Sequence, residues 1–99
     1  MAWTKDDLFR ILESHKDTIK GFGVRTLSLF GSAARGEASA NSDLDFVVEF
    51  DRKTFDNYMD LKFFLEDLFG CKVDLVVPET IKPHLRRYIL SEMAHVPGL

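Results

Sequence analysis

The chain has 99 residues, 45% of them hydrophobic and 29% charged, a balance typical of a folded globular protein. This length predicts one domain, residues 1–99, and nine phenylalanines argue against intrinsic disorder. A formal net charge of −3 without a basic run gives no sign of a nucleic-acid partner. A single cysteine, Cys71, excludes an intrachain disulfide, and no segment reads as a secretory signal or a membrane helix. We therefore expect a cytoplasmic protein.

The predicted elements are, in chain order, a helix, a strand, a short helix, a strand, a long helix, a strand and a last helix. Their ranges are 4–21, 24–30, 32–36, 43–50, 54–69, 72–77 and Pro83 onward. The small polar residues 37–42 read as a loop, and residues 96–99 could add an edge strand or fray. This order predicts an α/β (α+β) fold, in which a small mixed sheet of three to four strands packs helices mainly on one face.

Capping residues mark the ends of the predicted helices. Thr4 can cap the first helix, with Asp7 three residues later as a weak capping box, and Gly70 is a good stop for the long helix. The last helix has Leu85, Ile89 and Met93 along one face, which offers a contact surface. The long helix carries an apolar stripe that offers either core packing or a contact surface. Its residues are Phe55, Tyr58, Met59, Leu65, Leu68 and Phe69, with Phe63 and Phe64 beside them.

Three aspartates stand on the second and third predicted strands. Side chains alternate along a strand, so Asp43 and Asp45 point to the same side and offer oxygen ligands to a hard divalent cation. Asp74 interrupts an apolar strand, where aspartate is disfavoured. If the two strands are neighbours, the three carboxylates lie together and repel one another. Cations such as two Mg²⁺ ions would neutralise them.

The turn before these strands has the features of a phosphate site. Gly31 and Ser32 lie between a strand end and a predicted helix start. Glycine permits close backbone approach, the hydroxyl can donate to a phosphate oxygen, and a helix N-terminus favours an anion. Arg35 follows one turn later, where its guanidinium could reach a phosphate oxygen.

Each of these features also has a plain structural interpretation. A Gly-Ser pair is a common turn, an Asp-x-Asp pair is usually a solvated strand end, Asp74 could protect an edge strand, and Arg35 could serve a surface ion pair. Their combination is far more specific. The chain contains, in this order, a strand, the Gly-Ser turn, a ten-residue spacer, an Asp-x-Asp strand and a later lone aspartate.

The motifs FGSAARG at 30–36, SDLD at 42–45 and VDLV at 73–76 resemble those of the minimal nucleotidyltransferase (MNT) family. That family belongs to the DNA polymerase beta-like nucleotidyltransferase superfamily. The resemblance runs from the first helix to the last, and the motif shows no departure. It implies the nucleotidyltransferase fold.

The resemblance also implies the metal ligands and the reaction. Asp43 and Asp45 would bind both of two Mg²⁺ ions, while Asp74 would bind the catalytic one and help deprotonate the acceptor hydroxyl. The reaction would be a two-metal phosphoryl transfer, in which the acceptor attacks the α-phosphate and pyrophosphate leaves. We expect the transferred group to be AMP, with ATP as donor.

On the donor side, the resemblance implies that Gly31 and Ser32 hold the triphosphate. Arg35 is the candidate for neutralising the leaving phosphates. The chain would therefore bind a nucleoside triphosphate through the turn that precedes the aspartates.

The acceptor is expected to lie in another molecule. Minimal members of the family are commonly paired with a small helical HEPN toxin, and the MNT protein is then the antitoxin, which can add AMP to a toxin tyrosine. Two alternatives remain open: an antitoxin that neutralises by binding without catalysis, and an enzyme that nucleotidylates a small molecule. A complete acid triad favours catalysis, because an unused cluster of carboxylates would only cost stability.

Overall fold

The computed structural model describes residues 3–31, 33–36 and 43–99. The helices are α1 (Lys5–Ser14), α2 (Lys16–Lys20), α3 (Phe55–Phe69) and α4 (Pro83–Glu92). The strands are β1 (Val24–Phe30), β2 (Leu44–Phe50), β3 (Val73–Val76) and β4 (Ala94–His95). A 3₁₀ turn at Pro78–Thr80 lies between β3 and α4.

The four strands form one mixed sheet in the order β3-β2-β1-β4. β2 and β3 are parallel, while β1 is antiparallel to both β2 and β4. The predicted mixed sheet is therefore confirmed, but the edge strand lies at Ala94–His95 and not at 96–99. The chain turns after Val96, because Pro97 has no amide hydrogen to donate and Gly98 adopts a φ of +82°.

One face of the sheet forms the core with α1 and α3. Side chains that alternate along the strands point to this face, and the helices cover them with apolar stripes. The buried residues are Leu8 and Leu12 on α1, Leu27 and Leu29 on β1, Leu44, Phe46 and Val48 on β2, Leu61, Leu65 and Phe69 on α3, and Val73 and Leu75 on β3. The prediction that helices cover one face is confirmed for α1 and α3.

The first predicted helix is two helices, so its continuous form is wrong. The break lies at His15, where ψ is 16°. The His15 ring nitrogen Nδ1 lies 2.9 Å from the carbonyl oxygen of Ile11, which would accept the His15 amide in an unbroken helix. The His15 amide instead donates to Leu12. The predicted start is confirmed, because Asp7 donates its amide to the Thr4 hydroxyl at 3.0 Å.

Helix α3 has the predicted ends but a narrower buried stripe. The hydroxyl of Thr54 accepts from the Asn57 amide at 3.0 Å, and Gly70 ends the helix at a φ of +68°. The buried residues Leu61, Leu65 and Phe69 follow in steps of four. Phe55 and Phe63 fall outside that stripe, and their side chains are exposed. Core packing is therefore wrong for these two phenylalanines.

Helix α4 begins at Pro83 as predicted, but none of its residues is buried. The predicted face of Leu85, Ile89 and Met93 is at best half-buried. Within the described residues, no helix has both the length and the apolar character needed to cross a membrane.

Candidate active site

The ends of three strands bring the predicted carboxylates together. Phe30, the last residue of β1, pairs with Asp45, and Asp45 pairs across the parallel ladder with Asp74. Neighbouring strands lie about 4.8 Å apart, so the Asp45 and Asp74 side chains stand next to each other on one face. The prediction that Asp74 lies beside the Asp-x-Asp strand is confirmed.

The face that carries these carboxylates is opposite to the core. Leu44 and Phe46, which flank Asp45, are fully buried, and Val73 and Leu75, which flank Asp74, are buried as well. Asp45 is half-buried and Asp74 is exposed. The alternating strand pattern thus anchors the backbone in the core and presents the acids on the other side.

The pair stores electrostatic repulsion at Asp45. The pKa of Asp45 is raised from its ordinary value of 3.8 by burial first, then by the charge of Asp74, by a side-chain hydrogen bond with Asp74, and by the charge of Asp43. A hydrogen bond between two carboxyl groups needs a proton on one of them. When both carboxyl groups are ionised at neutral pH, they repel each other, and a bound cation would relieve that repulsion.

Asp43 lies just ahead of β2 with an exposed side chain, and it acts on Asp45 only through its charge. Among residues 3–31, 33–36 and 43–99, no three His, Cys, Asp or Glu side chains are arranged so as to hold a metal ion. The Asp45–Asp74 pair fits a hard divalent cation, because its donors are carboxylate oxygens and positive charge would relieve their repulsion. The three-aspartate metal site stays a prediction.

Gly31 brings the β1–β2 connection against Asp45. Its φ is +66°, and a Cβ atom at this position would lie 2.9 Å from the Asp45 Oδ2 atom. Both the left-handed backbone and the close approach require glycine. A phosphate held by this turn would therefore lie beside the carboxylate pair.

The remaining turn residues are only partly defined. Ser32 lies outside the described residues, so its predicted phosphate contact stays a prediction. The amide of Arg35 donates to the Gly31 carbonyl at 3.2 Å, and the Arg35 side chain is exposed. Residues 33–36 form turns where a short helix is predicted, because Gly36 ends the segment at a φ of +73°.

Glu66 and Cys71 lie beside the site, although the sequence alone points to neither of them. The Glu66 Oε2 atom accepts from the Val73 amide at 3.2 Å, which holds the start of β3 next to Asp74. The pKa of the Cys71 thiol is raised by burial and then by the charges of Asp43 and Glu66. The position of Glu66 in the sequence could have indicated its contact with β3. It lies one turn before the glycine that ends α3, within reach of the next strand.

The chain resembles known proteins over nearly its whole length. A family model described as the nucleotidyltransferase domain matches residues 10–96. Protein adenylyltransferase MntA of Thermococcus cleftensis is 36% identical over 95 residues, which cover 94% of this chain and 96% of that protein.

Solved structures agree with this assignment. A provisionally named minimal nucleotidyltransferase superposes with a TM-score of 0.78 at 35% identity, covering 91% of this chain and 93% of that one. One solved complex holds a tri-AMPylated HEPN toxin of Shewanella oneidensis and an MNT antitoxin. A chain of this complex matches with a TM-score of 0.63 at 17% identity. That match covers 92% of this chain and 73% of the other, and it shows the fold alone. The sheet, its paired aspartates and these matches together show that the chain belongs to the nucleotidyltransferase domain family and is a nucleotidyltransferase.

Proposed function

We propose that this enzyme transfers AMP from ATP, with Mg²⁺, to a tyrosine hydroxyl of a HEPN-type toxin and so acts as its antitoxin. The observation that carries the proposal is the register of Asp45 with Asp74 beside the Gly31 turn. The adenylyltransferase name of the Thermococcus cleftensis relative supports AMP as the transferred group. The AMPylated HEPN toxin bound to an MNT protein supports the choice of acceptor.

The carboxylates prepare the site for the donor. Asp45 and Asp74 would hold Mg²⁺, with Asp43 as the third ligand, and the metal would neutralise charge on the phosphate oxygens. Because Asp45 already bears the repulsion of Asp74, the apo site favours the arrival of positive charge. The site is therefore arranged for a donor that carries its own cation, as ATP does.

The Gly31 turn would act on the donor, and Asp74 on β3 would act on the acceptor. Gly31 and Ser32 would bind the triphosphate, and Arg35 would face the leaving phosphates. The acceptor oxygen forms a bond to the α-phosphorus while the bond from the α-phosphorus to the bridging oxygen breaks, and pyrophosphate leaves with that oxygen. Asp74 would take the proton of the acceptor hydroxyl, because it is the exposed member of the pair.

The cytoplasm is the compartment that we propose for this reaction. ATP and Mg²⁺ are abundant there, and the lone thiol of Cys71 fits a reducing environment.

The decisive experiment incubates the chain with radiolabelled ATP, Mg²⁺ and a HEPN-type partner protein, followed by mass spectrometry. We expect AMP on a tyrosine of the HEPN protein and none with Asp45→Asn. Glu49→Gln is the matched control, because Glu49 points to the same face of β2, two strand positions beyond Val47. Modification by Asp45→Asn at the native rate would overturn the assignment.

The same experiment separates the two alternatives. An antitoxin that acts by occlusion would leave its toxin unmodified, and Asp45→Asn would neutralise the toxin as well as the native chain does. An enzyme that acts on small molecules would leave the HEPN protein unmodified and unbound, while it consumed ATP in the presence of a hydroxylated small molecule.

A further inference from the structure

Helix α4 contributes no residue to the core that the described part of the chain forms. None of its ten residues is buried, whereas α3 buries three. Within the described residues, five large hydrophobic side chains are exposed, and three of them belong to α4: Leu85 at 43%, Tyr88 at 57% and Leu90 at 44%. Isolated helices of this length are marginal in water, so a helix with this apolar exposure is better suited to a bound state.

The apolar side chains of α4 form a stripe. Leu85, Tyr88 and Ile89 stand at positions i, i+3 and i+4, which lie on one face of a helix. Ile89 is half-covered, while Leu85 and Tyr88 remain exposed. A stripe of this form is typical of a helix that lies against a complementary surface.

Basic residues flank the stripe. Lys82, Arg86 and Arg87 fall within six positions, in a chain whose net charge is −3. The Arg86 Nη2 atom donates to the carbonyl oxygen of Pro78 at 3.1 Å, which ties that side chain to the preceding turn. Tyrosine and arginine beside aliphatic residues are the composition of protein interfaces. The complementary surface is therefore an acidic one with an apolar centre, and the overall negative charge of the chain disfavours nucleic acid.

The helix ends at the same end of the sheet as the carboxylate pair, beyond the edge opposite to Asp74. Ala94 of β4 pairs with Leu29 of β1, so Met93, one residue earlier, lies level with Phe30. Phe30 pairs with Asp45, which pairs with Asp74. Two strand spacings, about 10 Å, thus separate the end of α4 from Asp45 along the sheet.

A groove among the described residues offers another surface. It has a volume of about 440 Å³ and is lined by apolar and aromatic side chains that include Phe55, Tyr58 and Val77. Lys53 and Thr54, which also line it, follow the far end of β2, opposite to Asp45.

We propose that α4 is the docking helix for the acceptor protein, and that its Leu85–Tyr88–Ile89 stripe and flanking arginines bind an acidic, apolar-centred surface of that protein. The inference rests on the proposed function for the identity of the acceptor, which is the HEPN-type toxin. Docking at α4 holds the acceptor protein at the end of the sheet that carries Asp45 and raises the local concentration of its hydroxyl at a site with little binding surface of its own.

The test measures binding and transfer separately, with a HEPN-type partner protein as the probe. Tyr88→Ala removes the exposed aromatic ring, and Arg87→Glu reverses a charge while leaving the Arg86 contact in place. Phe63→Ala is the matched control for the ring, because Phe63 on α3 is similarly exposed at 53%. Arg10→Glu, at an exposed position on α1, is the control for the charge.

We expect each α4 variant to weaken the Kd for the HEPN protein about 10- to 100-fold, as for interface hot spots, and to raise the KM for that acceptor. The thermal shift that Mg²⁺-ATP produces should stay unchanged, and both controls should bind as the native chain does. Native affinity for the HEPN protein in both α4 variants would overturn the proposal. So would α4 variants that lose affinity for RNA but keep their affinity for the HEPN protein. If the native chain binds without transferring AMP, and Arg87→Glu abolishes that binding, the docking helix stands and the proposed transfer fails.

Discussion

The two faces of β2 differ at its start, where the core residues Leu44 and Phe46 flank the site residue Asp45. On one face, Leu44, Phe46 and Val48 are fully buried against the helices. On the other, Asp45 is partly exposed beside Asp74, and its pKa is raised by burial and by that neighbour. The core face gains free energy from apolar contact, while the site face stores repulsion that a cationic donor would relieve. A substitution at Phe46 should therefore change stability, and a substitution at Asp45 should change activity.

The largest effect should follow the loss of the paired carboxylate. Asp45→Asn removes the charge that would neutralise the cation while preserving side-chain volume. We expect transfer to fall about 10³- to 10⁴-fold, because metal-assisted charge stabilisation contributes several kcal/mol. Initial rates with saturating Mg²⁺-ATP measure it. Activity within about tenfold of the native chain would show that the site face does not carry the chemistry.

A substitution on the core face should lower the free energy of unfolding. Phe46→Ala removes a fully buried ring next to Asp45, and we expect the free energy of unfolding to fall by about 3–5 kcal/mol. Urea denaturation measures this change. Phe63→Ala, at an exposed position, should change it by less than about 0.5 kcal/mol. An equal loss in both variants would contradict the division of the faces.

Gly31 should affect stability through its backbone conformation and activity through its approach to Asp45. A comparison with Gly70 separates the two effects. Gly31→Ala would place a Cβ atom 2.9 Å from the Asp45 Oδ2 atom, whereas Gly70→Ala meets nothing within 4 Å at a nearly equal φ. Both variants should lose about 1–2 kcal/mol of stability from the left-handed backbone. Only Gly31→Ala should also lose activity, by about 10- to 100-fold, since it displaces a reacting group. Equal activity in the two variants would remove Gly31 from the site.

The smallest effect should be a pH-dependent gain in stability. The folded-state pKa of Asp45 lies above its unfolded value, so ionised Asp45 costs stability above the folded pKa and costs none below the ordinary value of 3.8. Asp74→Asn removes the neighbouring charge. In chelator we expect this variant to be more stable at pH 7 by no more than about 1 kcal/mol, because solvent screens the pair. The gain should vanish as the pH falls below 3.8, and thermal unfolding at both pH values measures it. A gain that persisted in acid would have another origin.

Local signals in the chain predicted the ends of most elements. Thr4, Thr54 and Gly70 act on backbone groups within four residues of themselves, so their roles can be read without knowledge of the fold. The helix break at His15 was missed, because it depends on the side chains of Ser14 and His15, which compete with the backbone for the carbonyl group of Ile11. The exposure of Phe55 and Phe63 was also missed, since the set of buried positions on a helix depends on where the sheet lies.

The sequence by itself determined the chemistry that this protein can offer: a glycine turn, an Asp-x-Asp strand and a lone aspartate in an apolar strand. Only the tertiary structure decided that Asp45 and Asp74 meet, because their pairing joins strands that lie far apart along the chain. It also decided that α4 is left uncovered and ends level with Phe30. Propensity and capping act within a few residues, whereas register and exposure follow from packing of the whole chain.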